Sequence, residues 1–197
     1  MCLPIVPPIL VVDVETTGTK AHEHGLVEIG AVWLSGPREG LEFMVRCVPR
    51  LGAKIDRDAL AINGCDWLES SDVYPEADAI DAFLDWVKVE TPVILAGMNP
   101  YFDRLFAREA HDASWAGKAH LKPKFPFPHR TLDLHSLAIS YALARGVQIP
   151  EKGFYTDAIL ELLGLPPEPK PHRAIQGARA EAAALRILLG LPNVLTP

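Results

Sequence analysis

The sequence predicts an α/β fold, a mixed sheet flanked by helices, on three observations. Three apolar, strand-like runs come first, at residues 9–15, 26–34 and 41–48. Helical and strand patterns then alternate through the rest of the chain. No linker is long enough to divide the 197 residues, so 1–197 is expected to be one domain with a sizeable core.

The first run, Ile9-Leu10-Val11-Val12, leads directly into Asp13-Val14-Glu15-Thr16-Thr17-Gly18. Residues 26–34 and 41–48 read as the next strands. Ser35-Gly36-Pro37-Arg38-Glu39-Gly40 between them carries turn chemistry, so the three runs predict an antiparallel meander. Over 76–88, Ile80, Phe83, Leu84 and Val87 share one helical face. Residues 93–96 form a short buried strand, and 100–110 a helix with Pro100 in its first turn, where proline is tolerated. A helix is expected over 134–145, on which Leu134, Leu137, Ala138 and Tyr141 repeat the helical spacing. A short helix at 156–163 stops at Gly164 and Pro166. The last helix, 174–189, aligns Ile175, Ala178, Ala182, Leu185 and Leu189. Prolines keep 123–128 and 166–171 out of regular helix or central strand.

Bulk composition narrows the function class. Hydrophobic residues make up 49% and charged residues 22%, as in ordinary globular proteins. No apolar stretch approaches the ~18–20 residues of a membrane span, so no membrane partner is expected. The apolar N-terminus has no basic leader and halts at Asp13, so it reads as a strand and not a signal peptide. Cys2, Cys47 and Cys65 fit neither a zinc spacing nor a paired disulfide set, which predicts free thiols in a reducing cytoplasm. A net charge of −6 argues against broad adhesion to a polyanion, yet metal-binding carboxylates would contribute to that total.

Asp13 and Glu15 lie two apart on a strand, so they share a face. Carboxylates held side by side repel each other unless a cation sits between them, and a hard divalent ion, Mg²⁺ or Mn²⁺, suits such oxygen ligands. Asp103, in Asn99-Pro100-Tyr101-Phe102-Asp103, falls in the first turn of a helix that follows a buried strand. Strand ends of open α/β sheets are where sites gather, although an acid in a first turn is more often capping chemistry. His172 precedes the last helix, where an imidazole can act as a general base.

In this order, Asp13-x-Glu15-Thr-Thr-Gly, Asn99-x-x-Phe102-Asp103 and His172-Arg173-Ala174 resemble the DEDDh, or DnaQ-like, 3′→5′ exonucleases. That family includes the proofreading subunit of bacterial replicative polymerase. The resemblance runs from residue 9 to about 189, and residues 26–32, 59–64 and 131–134 support it. It implies a ribonuclease H-like fold with a mixed five-stranded sheet. The implied activity releases nucleoside 5′-monophosphates from a free 3′ end, single-stranded by preference, of DNA or RNA, using two Mg²⁺ or Mn²⁺ ions roughly 3.5–4 Å apart. By motif match, Asp13 bridges the ions, Glu15 completes the first shell, Asp103 holds the second ion and His172 takes the proton from water. Thr16, Thr17 and Asn99 are implied substrate contacts.

Two positions depart from the pattern: Met98 stands where the family often has a histidine, a difference that touches packing more than chemistry, and the second touches the metal ligands. The family has an acid five residues after the histidine that His172 matches, and here Gly177 stands there. Glu181, one turn on, sits ~6 Å further along the helix axis, more than one methylene spans. Two functions therefore stay open: an exonuclease whose activity Gly177 compromises, and a non-catalytic module that binds nucleic-acid ends or serves as a partner subunit. The basic loop 118–130 also leaves three readings. Lys118, Lys122, Lys124 and Arg130 with Phe125 and Phe127 suit a single-strand groove, a protein-docking loop, or a solvated loop whose phenylalanines enter the core. No feature specifies a homodimer interface.

Overall fold

The structure, a computed structural model, describes residues 8–64, 72–88 and 93–192. Cys2 and Cys65 lie outside these residues. Strand β1 (Ile9–Thr16) is central. Its alternate residues are buried on opposite sides: Leu10, Val12 and Val14 in one core cluster, Ile9 and Val11 in the other. A strand covered on both faces reads as a nearly continuous apolar run, which is why this one did.

The expected meander is present. β2 (Leu26–Ser35) pairs antiparallel with β1, and β3 (Glu42–Val48) antiparallel with β2. β4 (Tyr74–Pro75) is a two-residue strand alongside Cys47 and Val48. β5 (Ile94–Gly97) runs parallel to β1 on its other side, and β6 (Thr131–Asp133) parallel to β5. The order is β4-β3-β2-β1-β5-β6, so the five expected strands gain a sixth at the edge. Two residues with one proline carry no periodicity by which that strand could be anticipated.

Helix α1 (Arg57–Asn63) starts at Asp56, whose side chain accepts from the Asp58 N–H. Helices α2 (Glu76–Val87) and α3 (Pro100–Ser114) cover one face through Ile80, Phe83, Val87, Phe106 and Ala110. Helices α4 (Leu134–Ala144), α5 (Thr156–Leu162) and α6 (Ala174–Leu189) cover the other through Leu134, Ala138, Ile159, Leu160, Ala178 and Leu185. No helix among the described residues is long and apolar enough to cross a membrane.

Gly30 positions α6. A Cβ there would lie 2.2 Å from the Ala174 carbonyl carbon and 2.3 Å from the Ile175 nitrogen. Its absence lets the start of α6 rest on the β2 backbone. Gly30 is also the partner of Asp13 in the β1–β2 register, so the helix arrives directly over that carboxylate.

In the loop 118–130 the two phenylalanines enter the core. Phe125 and Phe127 are buried in the cluster beneath α2 and α3. The Arg104 guanidinium donates to the Phe127 and Pro128 carbonyls, and Lys122 pairs with Asp112. Buried rings offer no face to a base, so Phe125 and Phe127 are not a stacking platform here. The segment packs against the sheet face opposite the one that carries Asp13.

Candidate active site

β1 outruns its neighbour β5. Their pairing ends at Val11 and Ala96, while β1 continues to Thr16. The freed Val14 N–H donates to Asp103 Oδ1 at 3.0 Å. A buried N–H with no strand partner needs an acceptor, and Asp103 in the first turn of α3 supplies it while lying beside Asp13 and Glu15. Its carboxylate thus bonds to β1 as well as to its own backbone N–H in the first turn of α3.

Asp13, Glu15 and His172 line one cavity of about 410 Å³, together with Met98, Glu168 and Glu181. Exposed Ile62 and Tyr155 form its apolar rim. A larger cavity of about 670 Å³ lies on the other face, between α2, α3 and residues 123–128, away from this cluster.

The electrostatics are those of crowded, buried acids. Burial, then the charges of Glu168 and Glu28, push the Asp13 carboxyl up to about 7. Burial, then Asp13, Glu28 and Glu168, push Glu15 to about 8, against a partial offset from Arg173. Asp103 is raised by burial and Asp13, and Glu181 by burial, Asp13 and Asp103. Arg173, at the entry to α6, donates to the carbonyls of Asn63 and Gly64 at 3.1 and 3.3 Å. Asn63 in turn donates to the Thr16 carbonyl at 2.9 Å. The end of α1 thus ties the β1 loop to the start of α6.

His172 contacts Glu168 Oε1 through Nδ1 at 3.1 Å. A carboxylate oxygen accepts, so the geometry suits donation from Nδ1 and leaves Nε2 outside this contact. The Glu168 N–H donates to Asp157 Oδ1 at 3.2 Å, which fixes the proline-rich segment to α5.

Gly177 lies against Asp13. A Cβ at this position would stand 2.1 Å from Asp13 Oδ2, 2.9 Å from its Cγ and 3.4 Å from Glu168 Oε1. Glycine here has a steric cause: the Asp13 carboxylate occupies the space a side chain would take. Glu181 faces the same cavity, but its Oε2 accepts the Met98 N–H at 3.1 Å.

The remaining expected residues serve the frame. Thr16 donates its hydroxyl to the Gly18 carbonyl at 2.7 Å. Thr17 is fully buried; its hydroxyl donates to the Lys54 carbonyl at 2.6 Å and accepts from the Gly25 N–H at 3.0 Å. Neither hydroxyl is free for a nucleotide in this conformation. Asn99 is exposed, holds a left-handed backbone at φ 53° and donates its N–H to Asp133 Oδ2, whereas Met98 lines the cavity. Glu168, Asp157, Tyr155 and Ile62 were not anticipated. Glu168 sits among prolines, where no periodicity assigns a direction.

Among the described residues, no three ligating side chains already converge as a preformed coordination shell. The donor set nevertheless fits a divalent cation: all carboxylate oxygen, with Asp103 buried and Asp13 and Glu15 half-buried, and raised first by desolvation and then by the neighbouring acids.

A strand-end acid pair, a helix-borne aspartate and a histidine thus gather at one end of β1 on a mixed sheet. A family model described as Exonuclease (RNase_T) matches residues 10–185, and the chain belongs to that family. It is similar to ribonuclease T of Hahella chejuensis, 32% identical over 149 residues, covering 70% of this chain and 65% of the relative. Ribonuclease T of Yersinia enterocolitica is 33% identical over 144 residues, covering 66% and 63%. The chain thus spans 63–65% of these relatives' length. Among solved structures, a zinc-bound E. coli ExoI–ssDNA complex superposes with TM-score 0.73 at 17% identity, over 93% of this chain and 40% of the other. E. coli Exonuclease I with a dT13 oligonucleotide gives 0.72 at 18%, over 93% and 41%. At such identity the likeness shows the fold alone.

Proposed function

We propose that this chain is a metal-dependent 3′→5′ exonuclease that removes nucleoside 5′-monophosphates from single-stranded DNA or RNA. The observation that carries the reading is the gathering of Asp13, Glu15, Asp103 and His172 at the end of β1 in a chain of the exonuclease family. Asp13, Glu15 and Asp103 would hold Mg²⁺ or Mn²⁺. When bound, such cations activate water and neutralise charge on the scissile phosphate.

The protein's own residues supply the rest. His172, with Nδ1 committed to Glu168, presents Nε2 to take a proton from the attacking water. Tyr155 and Ile62 offer an apolar wall beside the carboxylates, against which the terminal base or sugar can rest. Complexes of Exonuclease I with oligonucleotides have the same fold, which supports a nucleic-acid substrate.

Gly177 favours a second reading, a non-hydrolysing module that binds 3′ ends. A 5′-labelled oligonucleotide, as DNA and as RNA, separates the two with Mg²⁺ and then Mn²⁺. Shortening from the 3′ end by the natural chain but not by Asp13→Ala supports the nuclease. Retained binding without shortening in either metal supports the module.

A further inference from the structure

We infer that Glu168 supplies the carboxylate that position 177 lacks, as a ligand for the cation beside Asp13 and Glu15. The inference rests on the exonuclease reading and adds a residue that the family pattern does not contain. Three observations carry it.

The first is placement. The site of a Cβ on Gly177 is 3.4 Å from Glu168 Oε1 and 2.1 Å from Asp13 Oδ2. An acid projecting from α6 would start in the space that Asp13 fills; Glu168 instead brings a carboxylate to the border of that space from the segment before the helix. The second is rigidity. Glu168 is 8% exposed and flanked by Pro167 and Pro169, and its N–H is held by Asp157. A ligand delivered from a loop needs such restraint to hold its geometry. The third is the remaining capacity of its carboxylate. Oε1 engages His172, but an ionised carboxylate has about four lone-pair sites and can serve an imidazole and a cation together. Glu181 is the poorer candidate, since its Oε2 is engaged by the Met98 N–H on the β5 side.

The competing role is orientation of His172 alone. Mn²⁺ binding without nucleic acid distinguishes the two, followed by calorimetry and by loss of the free-ion EPR signal. The natural chain, Glu168→Gln, His172→Ala and Asp13→Asn are compared, with folding checked by thermal melting in EDTA. Loss of an outer-shell partner costs about 10–100-fold in metal affinity, so Glu168→Gln, which removes the ligand and its charge, is expected to lose clearly more affinity than His172→Ala, which removes only the imidazole bonded to it; equal losses would make Glu168 an outer partner and overturn the inference. Glu168→Asp, which keeps the charge but retracts it by one methylene, is expected to fall between and serves if Glu168→Gln does not fold. If both Glu168 variants bind Mn²⁺ like the natural chain while Asp13→Asn does not, Glu168 only orients the histidine and the inference is overturned. If Asp13→Asn also binds unchanged, the metal-dependent reading has failed and the inference falls with it.

Discussion

Gly177→Ala tests whether the glycine marks a lost ligand or a space required by Asp13. The added methyl carbon would begin 2.1 Å from Asp13 Oδ2, inside the 3.0 Å that such carbons essentially never breach. The carboxylate must therefore yield by about 1 Å, and a misplacement of that size at a reacting centre can cost about 100-fold in rate. Alanine is also the better helix former by about 1 kcal/mol in a helix interior. The expected result is a melting temperature held or slightly raised and a rate of shortening of a 5′-labelled oligonucleotide reduced about 100-fold. Gly177→Asp restores the family's pattern in sequence but meets the same obstacle and adds charge beside Glu168, so it too should lose activity. Wild-type rates in Gly177→Ala would refute the steric account. A gain in Gly177→Asp would show that α6, not Glu168, is where the missing acid belongs.

Three further outcomes follow from the packing and the charges. Asp13 and Glu15 titrate near 7 and 8 when folded, against ~4 when unfolded, so the folded state binds protons more tightly across that interval. Without metal, stability is therefore greatest below about pH 4 as far as these groups contribute, and falls by on the order of a few kcal/mol as pH rises toward 8. Divalent cation should oppose that fall, so the Mg²⁺-induced rise in melting temperature should be larger at pH 8 than at pH 5.5; equal shifts would count against a cation at this pair. Gly30→Ala drives a methyl into the backbone of Ala174 and Ile175, neither of which can rotate away. Overpacking of about 1–3 kcal/mol is expected, visible as a drop of about 2–4 °C per kcal/mol in melting temperature, and an unchanged melt would contradict the close approach. Phe127→Ala should cost about 3–5 kcal/mol of stability while leaving oligonucleotide affinity of the folded fraction intact, whereas the reverse pattern would restore the stacking role.

The fold was legible because its signals are periodic. β1, β2 and β3 announced themselves by apolar runs, and α2 and α6 by residues recurring on one face. Asp13 and Glu15 were legible for the same reason, since a strand's period of two dictates that they share a face. Asp103 and His172 needed the family pattern, because neither first-turn position is distinctive alone. Glu168 escaped because a proline-rich segment has no repeat that assigns a direction; the bonds of its N–H to Asp157 and of its carboxylate to His172 set it. Gly177 was visible as a departure, but its cause lies 164 positions away in the strand residue that fills its side-chain space.

The charge of the site bears on how a polyanion can approach it. Asp13, Glu15, Glu168 and Glu181 line a single cavity with Asp103 behind them, in a chain of net charge −6. A phosphate brought there meets repulsion from these carboxylates. Substrate and cation should therefore bind cooperatively, with a coupling of about 1–3 kcal/mol typical of linked sites. His172→Ala, which removes the proposed base, allows binding to be measured without turnover by fluorescence anisotropy of a labelled oligonucleotide. At fixed ionic strength its affinity should rise when Mg²⁺ replaces monovalent salt, although added salt by itself weakens phosphate contacts. Equal affinity with and without Mg²⁺ would mean that the 3′ end is held away from these carboxylates, by surfaces such as Tyr155 and Ile62 alone.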